Sequence, residues 1–359
     1  MSLRAALVAA LHAPACSVVV GCAVGRVHGS GAPDAAREAP APPTAASDAG
    51  IRDATPGDIA GQREAGGDAD AFVRAGLSDA ANRVDASGPF ACADDAAALP
   101  ARARCVLRID GRAIDESDAP VAPHTLASAC GPAACSPGFT GSDGAFAIPV
   151  GFHLDPGVYS VQMHVRPDRA AFYFALPGDA LGPVVDMGAL RVLDMPAHGP
   201  LLDVDRSGAP SQTVTSGDVT LEVPEGVYVR LDVESNLAGD HGREFRALTI
   251  APRFIDEFSD GMTGVQAMYA LEPFESSFEY PASGATPALA RLSFANTAGL
   301  EAGAGVDVLA LGTYIYPGWV KPAAFEKVAS GHVSADGSKI ELDPGEGLSH
   351  LTWIAIREA

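Results

Sequence analysis

Residues 159–166 read Tyr-Ser-Val-Gln-Met-His-Val-Arg, a run in which apolar and polar side chains alternate. Alternation with a period of two predicts a β-strand that has one face in the core and one face in solvent. On this pattern the apolar residues point inward, and His164 lies with Ser160 and Gln162 on the exposed face. We therefore expect His164 to be solvated rather than to act as a ligand.

The same alternation recurs along the chain in segments separated by turn-forming residues. It is clearest at residues 105–110, 145–150, 219–223 and 227–234. Asp, Pro and Gly between the segments supply the backbone conformations that tight turns require. The sequence therefore predicts an all-β fold, with two antiparallel β-sandwich domains after a signal peptide and a disordered linker.

Charge and length limit the partners of this chain. The 359 residues include 24 Lys and Arg against 45 Asp and Glu, a formal net charge of −21. Nucleic-acid binding depends on basic groups that neutralise phosphates, so no nucleic-acid partner is expected. The same acidity disfavours attraction to an anionic bilayer. The length allows about two domains and additional segments.

The N-terminal segment predicts export and a lipid anchor. Residues 1–22 carry one basic residue, Arg4, ahead of an apolar run, which is the pattern of a secretory signal. The run ends in Val-Val-Gly-Cys at 19–22, which resembles a bacterial lipobox. That resemblance implies lipidation of Cys22 and placement at the outer membrane or cell surface. The alternative is cleavage by ordinary signal peptidase after Ala15, with no lipid on Cys22.

Residues 23–100 are predicted to form a disordered tether. The stretch is rich in Ala, Gly, Pro and Asp, and its aromatic residues are Phe72 and Phe90. Such a composition buries too little apolar surface to offset the entropy of the chain. We expect this segment to hold the folded body away from a membrane.

Four further cysteines predict two disulfides in the exported protein. They are Cys92, Cys105, Cys130 and Cys135. Three connectivities are open, and the sequence does not choose among them. Because Cys105 has the parity of Leu107, its side chain is expected inside the first sandwich, where a disulfide would fix the loop that bears Cys130 and Cys135. Cys92 would then bond the remaining partner. A zinc site is the alternative, but the spacings lack two C-x2-C pairs.

Residues 101–198 form the first predicted sandwich. The run at 138–148 is Gly-Phe-Thr-Gly-Ser-Asp-Gly-Ala-Phe-Ala-Ile, and Gly-Val-Tyr-Ser-Val follows at 157–161. A T-x-x-D-G-x-F hairpin ahead of a G-x-Y-x-V strand resembles the carboxypeptidase-regulatory-like domains, which have a transthyretin-like fold. The resemblance implies a non-catalytic accessory or adhesive module.

Residues 199–359 form the second predicted sandwich. Leu-Glu-Val-Pro-Glu-Gly at 221–226 precedes Pro-Phe-Glu-Ser-Ser-Phe at 273–278. This order is similar to that of ZU5-like domains, with Glu275 at a position where those domains usually have Gly. The resemblance implies an interaction module.

His241 and Glu244 are the main candidates for catalysis. Their H-x-x-E spacing occurs in zinc hydrolases, where both side chains bind one metal ion. The alternative to a binding protein is therefore a metal-dependent hydrolase that uses His241 and Glu244. No third ligand is identifiable, and no H-E-x-x-H, G-x-S-x-G, P-loop or G-x-G-x-x-G motif occurs. No catalytic, cofactor or metal residue is assigned, and an enzyme is not expected.

Two acidic loops and one tryptophan are weaker candidates for binding. Residues 203–208 begin like a calcium loop, but Val214 stands where the bidentate Glu belongs. The acidic cluster at 256–260 is expected to be a solvated surface. Trp319 is expected to be a core residue, with an aromatic platform for sugar or peptide as the alternative.

Together these features predict a membrane-anchored, surface or periplasmic protein with an interaction or structural role. No cofactor is expected. The expected partners are the membrane, through the lipid anchor, and an unknown protein or glycan ligand. The sequence does not identify that ligand.

Overall fold

The computed structural model describes Cys92 and residues 102–132, 134–178, 182–204, 210–259, 261–280 and 287–359. Across these residues strands dominate and helices are short, so the predicted all-β class is confirmed. The predicted signal peptide and nearly all of the predicted tether lie outside the described residues. No helix in the described part is long and apolar enough to cross a membrane.

The first half of the described chain contains seven strands. They are β1 (Arg104–Ile114), β2 (Leu126–Cys130), β3 (Cys135–Phe139), β4 (Ala145–Leu154), β5 (Ser160–His164), β6 (Tyr173–Ala175) and β7 (Val184–Arg191).

The second half contains eleven strands and three short helical segments. The strands are β8 (Gln212–Ser216), β9 (Val219–Val223), β10 (Tyr228–Arg230), β11 (Arg246–Thr249), β12 (Val265–Glu272), β13 (Ser277–Glu279), β14 (Arg291–Ala295), β15 (Gly305–Leu311), β16 (Phe325–Val333), β17 (Lys339–Leu342) and β18 (Ile354–Glu358). The helices are α1 (Val233–Leu237), α2 (Pro252–Phe258) and a 3₁₀ turn (His241–Arg243).

Two sheets form the first half, in the orders β4-β1-β7 and β3-β2-β5-β6. Val106, Ile109, Ile148 and Val161 are fully buried in one core. The alternating pattern explains this core, because the apolar positions of facing strands meet inside. One pairing departs from the antiparallel pattern, since β1 and β7 run parallel.

A nine-stranded sheet forms most of the second half, in the order β11-β12-β18-β15-β16-β17-β14-β9-β8. A separate two-stranded sheet pairs β10 with β13. Tyr269 on β12 and Ile354 on β18 belong to one core with Phe278 of β13. Their neighbours Met268 and Ala355 point to the opposite face and belong to a second core. The centre of the sheet is therefore buried on both faces, which accounts for its nearly continuous apolar sequence.

The second core of the large sheet includes residues from both halves of the chain. Phe172 packs edge-on against Trp353, with ring centroids 4.7 Å apart, and it also contacts Phe258 of α2. The Trp353 indole nitrogen donates a 2.6 Å hydrogen bond to the Ala171 carbonyl oxygen. The two predicted domains, 101–198 and 199–359, thus share apolar contacts, and their boundary stays a prediction.

Two disulfides join cysteines within the described part of the chain, Cys92–Cys105 and Cys130–Cys135. The expectation that Cys105 reaches the loop of Cys130 and Cys135 was wrong. A register shift between Val106 and Arg108 interrupts the alternation of β1, so Val106 is buried while Cys105 is half-buried. A bulge of this kind turns the side chains before it toward the opposite face of the sheet. Cys130 and Cys135 are directly opposite each other in the β2–β3 pair.

Candidate functional site

An aromatic patch, formed by Tyr316, Trp319 and His350, lies where the loop between β15 and β16 meets the segment before β18. The His350 ring packs on Tyr316 with centroids 3.8 Å apart and on Trp319 with centroids 4.7 Å apart. His350 is buried, whereas the two larger rings are half-buried. The patch therefore offers aromatic surface to solvent above a buried imidazole.

Trp319, expected to be a core residue, packs against the core that contains Tyr269 and Ile354 but stays half-buried. The fully buried tryptophan is Trp353, which is 1% exposed. The loop that carries Trp319 closes tightly at its base, where Gly312 forms a bridge with Pro322. A Cβ on Gly312 would lie 2.0 Å from the Lys321 carbonyl oxygen, so only glycine fits this closure.

A hydrogen-bonded carboxylate lies close to the aromatic patch. Glu279 on β13 accepts a 2.6 Å bond from the Tyr228 hydroxyl and a 2.9 Å bond from the Ser277 hydroxyl. Arg230 donates to the same carboxylate over 3.2 Å, and its side chain is 57% exposed. The β10–β13 pairing sets this geometry, because Tyr228 is directly opposite Glu279. Ser277, which donates to Glu279, also forms a backbone bridge with His350, and this places the carboxylate beside the aromatic patch.

The protonation states of this site follow from burial and hydrogen bonding. Burial lowers the pKa of His350 to about 4, because the charged imidazolium would lose its hydration. Burial opposes the ionisation of Glu279, but bonds from Tyr228, Ser277 and Arg230 outweigh it and hold the pKa of Glu279 below its usual value. At neutral pH the site therefore combines a neutral imidazole with an ionised carboxylate and an exposed guanidinium.

A second polar group of residues is buried between the two halves of the chain. Arg166, 2% exposed at its side chain, lies 3.0 Å from Asp232 and 2.9 Å from Glu275. Tyr173 donates a 2.7 Å bond to the other oxygen of Glu275. Burial alone would lower the pKa of Arg166, but Glu275 and Asp232 outweigh that effect and raise its pKa well above the usual value. Arg166 is therefore permanently charged, and it neutralises carboxylates from the second half.

The polar face of β5 is buried, contrary to the expectation that it is solvated. Ser160 and Gln162 are 0% and 1% exposed. His164 is partly buried and contacts Ser128 of β2 and Glu234 of α1. The prediction failed because alternation identifies which residues share a face, whereas the second half of the chain decides whether that face meets water.

Glu272 is a further buried carboxylate that the sequence did not indicate. It is 1% exposed, and one oxygen accepts a 2.8 Å bond from the Phe274 backbone amide. Burial raises the pKa of Glu272 from the usual 4.5 to about 7, although Arg166 and Arg246 favour its ionised form. Arg246 is its direct cross-strand neighbour in the β11–β12 pair.

His241 and Glu244 form a hydrogen bond with each other rather than pointing together at a metal-binding position. His241 Nδ1 lies 2.9 Å from a Glu244 oxygen, and its Nε2 lies 3.2 Å from Asp168. Both ring nitrogens thus face carboxylates. Within the described ranges no group of three or more His, Cys, Asp or Glu residues is arranged to hold a metal ion. The geometry gives no support to the metal-dependent hydrolase.

The acidic loops are only partly described. Residues 205–209 and Asp260 lie outside the described residues. Glu257 forms a 2.8 Å ion pair with Arg191, so it is engaged within the protein. Cys22, the predicted lipid attachment residue, also lies outside the described residues.

Comparisons with known proteins yield distant structural similarities. No family model matches the chain, and no curated protein matches it. A candidate carbohydrate-binding protein from Bacteroides uniformis is 8% identical, with a TM-score of 0.16 over 70% of this chain and 78% of that chain. The full-length major pilin SpaD from Corynebacterium diphtheriae is 11% identical, with a TM-score of 0.20 over 71% and 84% of the two chains. At TM-scores this low, neither similarity supports a conclusion about function.

Proposed function

We propose that this chain is an exported, lipid-anchored interaction protein that binds a neutral saccharide at the aromatic patch. The observation that carries the proposal is the pair of half-buried rings, Tyr316 and Trp319, packed at a tilt against His350. The Arg230–Glu279 ion pair lies beside them, because Ser277 bonds Glu279 and pairs with His350. The two disulfides agree with an exported protein, since such bonds persist in oxidising compartments.

The chemistry of the site suits a sugar ring. Large aromatic side chains supply rigid apolar surface, against which the C–H face of a pyranose packs. Hydroxyl groups at the ring edge donate to the Glu279 carboxylate and accept from the Arg230 guanidinium, and charge strengthens both kinds of bond. A net charge of −21 repels anionic ligands, which favours a neutral sugar.

The anchoring part of the proposal comes from the N-terminal sequence. Val-Val-Gly-Cys at 19–22 supports lipidation of Cys22, and the composition of residues 23–100 supports a tether between the anchor and the binding domain. The resemblances to carboxypeptidase-regulatory-like and ZU5-like domains also favour a binding role. In this arrangement the protein presents its saccharide site at the outer membrane or cell surface.

Tryptophan fluorescence tests the saccharide site, because the chain has two tryptophans in different environments. Titration of the full-length chain with a panel of neutral oligosaccharides is expected to change the emission of Trp319, while buried Trp353 contributes a constant background. Trp319→Ala should abolish the change and weaken binding at least tenfold in calorimetry. The control Phe139→Ala removes an aromatic ring that is 52% exposed and lies outside the patch. Equal binding by wild type and Trp319→Ala would contradict the proposal, as would no binding to any sugar at millimolar concentration.

A further inference from the structure

Ser128, His164 and Glu234 form a line of hydrogen bonds across three separate segments of the chain. Ser128 Oγ is 2.6 Å from His164 Nε2, and His164 Nδ1 is 2.5 Å from Glu234 Oε1. A hydroxyl, an imidazole and a carboxylate in this order are the arrangement that activates a serine as a nucleophile. We propose that Ser128, His164 and Glu234 form an acyl-transfer site that hydrolyses small, uncharged esters, an activity beyond the proposed saccharide binding.

The β2–β5 pair positions the nucleophile and the base. Ser128 on β2 is directly opposite Gln162 on β5, and Leu126 is directly opposite His164. Ser128 and His164 are therefore diagonal neighbours on one face of the sheet, and long side chains reach across that distance. Both strands lie in the interior of their sheet, so the geometry rests on paired backbone rather than on a loop.

Glu234 is held in place by the start of α1 and by Arg166. The N-cap residue Asp232 accepts hydrogen bonds from the backbone amides of Glu234 and Ser235. Arg166 Nε lies 3.6 Å from the Glu234 oxygen that does not face His164. Burial opposes the ionisation of Glu234, but the bond to His164 and the charge of Arg166 outweigh it and lower its pKa. Glu234 is therefore ionised at neutral pH.

The tautomer of His164 follows from the chemistry of its partners. An ionised carboxylate only accepts hydrogen bonds, so the neutral imidazole carries its proton on Nδ1, toward Glu234. Nε2 is then the acceptor for the Ser128 hydroxyl. This is the proton arrangement that a general base requires before a nucleophilic attack. Glu234 does not touch the reacting atoms and is a positioning residue.

Unpaired polar atoms lie on the same face, next to the proposed nucleophile. Gln162 Oε1 and Ser160 Oγ are buried and have no hydrogen-bond partner among the described residues. Buried polar atoms without partners are costly, and such atoms are concentrated where a ligand completes the bonding. The Gln162 amide, opposite Ser128, also carries N–H donors of the kind that stabilise an oxyanion. The His164 and Glu234 side chains are 21% and 35% exposed and Ser128 is 4% exposed, so solvent reaches the line from its His164–Glu234 end.

The proposed reaction conserves atoms and protons at each step. Ser128 Oγ attacks the ester carbonyl carbon while its proton moves to His164 Nε2. Collapse of the tetrahedral intermediate breaks the bond to the alcohol oxygen, which takes that proton from His164 and leaves an acyl-Ser128. Water then attacks the acyl carbon and gives a proton to His164, and the second collapse releases the acid and returns the proton to Ser128. Glu234 stays ionised and balances the imidazolium in both halves of the reaction.

Site-specific labelling tests the nucleophile directly. The full-length chain is incubated with a fluorophosphonate probe, and the modified peptide is identified by mass spectrometry. Label on Ser128 is expected, with loss in both Ser128→Ala and His164→Gln. Ser136→Ala serves as the matched control because Ser136 is a buried serine on the neighbouring strand β3 and takes no part in the proposed site, and this variant should keep the label. Near-ultraviolet circular dichroism shows that each variant is folded. Absence of label on Ser128 in the wild-type protein would overturn the proposal.

Hydrolysis of 4-nitrophenyl acetate provides the second readout. The wild-type rate should exceed that of Ser128→Ala by about 100-fold or more, the range typical of general-base assistance. Glu234→Gln should lower the rate and change its dependence on pH, an effect that a purely structural role of Glu234 would not produce. Trp319→Ala should leave hydrolysis unchanged, so this test is independent of saccharide binding. Equal rates for wild type and folded Ser128→Ala would exclude the site.

Discussion

Arg166 and Glu275 form a buried ion pair of 2.9 Å between residues 109 positions apart, and each side chain is 2% exposed. Glu275 has a backbone φ of 62°, a left-handed conformation that usually requires glycine. The Arg166 guanidinium also lies over the Phe274 ring, with its central carbon 4.9 Å from the centroid. The pair therefore stabilises an unfavourable backbone conformation and joins the two halves of the chain.

Removal of the buried cation should strongly destabilise the protein. Arg166→Met leaves Asp232 and Glu275 buried without their counter-charge, and breaking such a pair costs about 3–5 kcal/mol. The control Arg108→Met breaks a partly exposed pair with Asp110 and should cost no more than about 1 kcal/mol. Urea denaturation measures both changes in the free energy of unfolding. Similar losses in the two variants would show that the buried pair has no special role.

Glu272 should make the protein less stable as the pH rises. Its folded pKa of about 7 exceeds the usual 4.5, so the folded state holds a proton that the unfolded state has released. The resulting stability is complete below pH 4.5 and is lost as the pH rises toward 7, by about 3 kcal/mol at most. Glu272→Gln should remove this loss, whereas the exposed control Glu222→Gln should retain it. The urea midpoint of each protein is measured across this pH range. If the midpoint of Glu272→Gln falls with rising pH as much as that of the wild type, Glu272 is not the source of the loss.

His350 should have the opposite effect on pH-dependent stability. Its folded pKa of about 4 lies below the usual 6.5, so the unfolded state binds a proton that the folded state excludes. Stability from this group is present above pH 6.5 and is lost as the pH falls toward 4, again by about 3 kcal/mol at most. His350→Phe keeps a ring against Tyr316 and Trp319 and should abolish the acid sensitivity. His332→Gln, at a more exposed histidine, is the control. Trp319 fluorescence follows the transition, and acid sensitivity in His350→Phe equal to that of wild type would contradict the prediction.

The disulfide pairing should be Cys92–Cys105 and Cys130–Cys135 in the exported protein. Peptide mapping of unreduced protein by mass spectrometry is expected to find these two linked pairs. In the chain-entropy view the bond that closes the longer loop, Cys92–Cys105, contributes about 3 kcal/mol and the other about 2 kcal/mol. Replacement of the first pair by serine should therefore lower the melting temperature more than replacement of the second. A peptide linking Cys105 to Cys130 or Cys135, or four free thiols, would contradict the pairing.

Lipidation of Cys22 is expected from the N-terminal sequence. Metabolic labelling with a palmitate analogue should mark the wild-type protein, and Cys22→Ser should lose the mark and enter the soluble fraction. Cys16→Ser is the matched control and should be labelled like wild type. Labelled Cys22→Ser protein would exclude this residue as the anchor.

The sequence by itself determined the all-β class of the fold and which residues of a strand share a face. Alternation at 159–166 and 219–223 is a local property of the backbone, because successive side chains of a strand point to opposite faces. It therefore predicted strands and shared faces correctly. It did not predict the bulge in β1. One additional residue moves the following side chains to the opposite face of the sheet, and no feature of the amino-acid composition marks its position.

The candidate sites were decided by the tertiary structure. His164 belonged to a face identified correctly from sequence, but the second half of the chain buries that face and brings Glu234 to it from 70 residues away. The contact with Ser128, 36 residues away, depends on the pairing of β2 with β5. A hydrogen bond between side chains depends on distance in space, and the local pattern of a strand holds no information on which distant segment covers it. The sequence therefore specified the strands, and their packing created the sites.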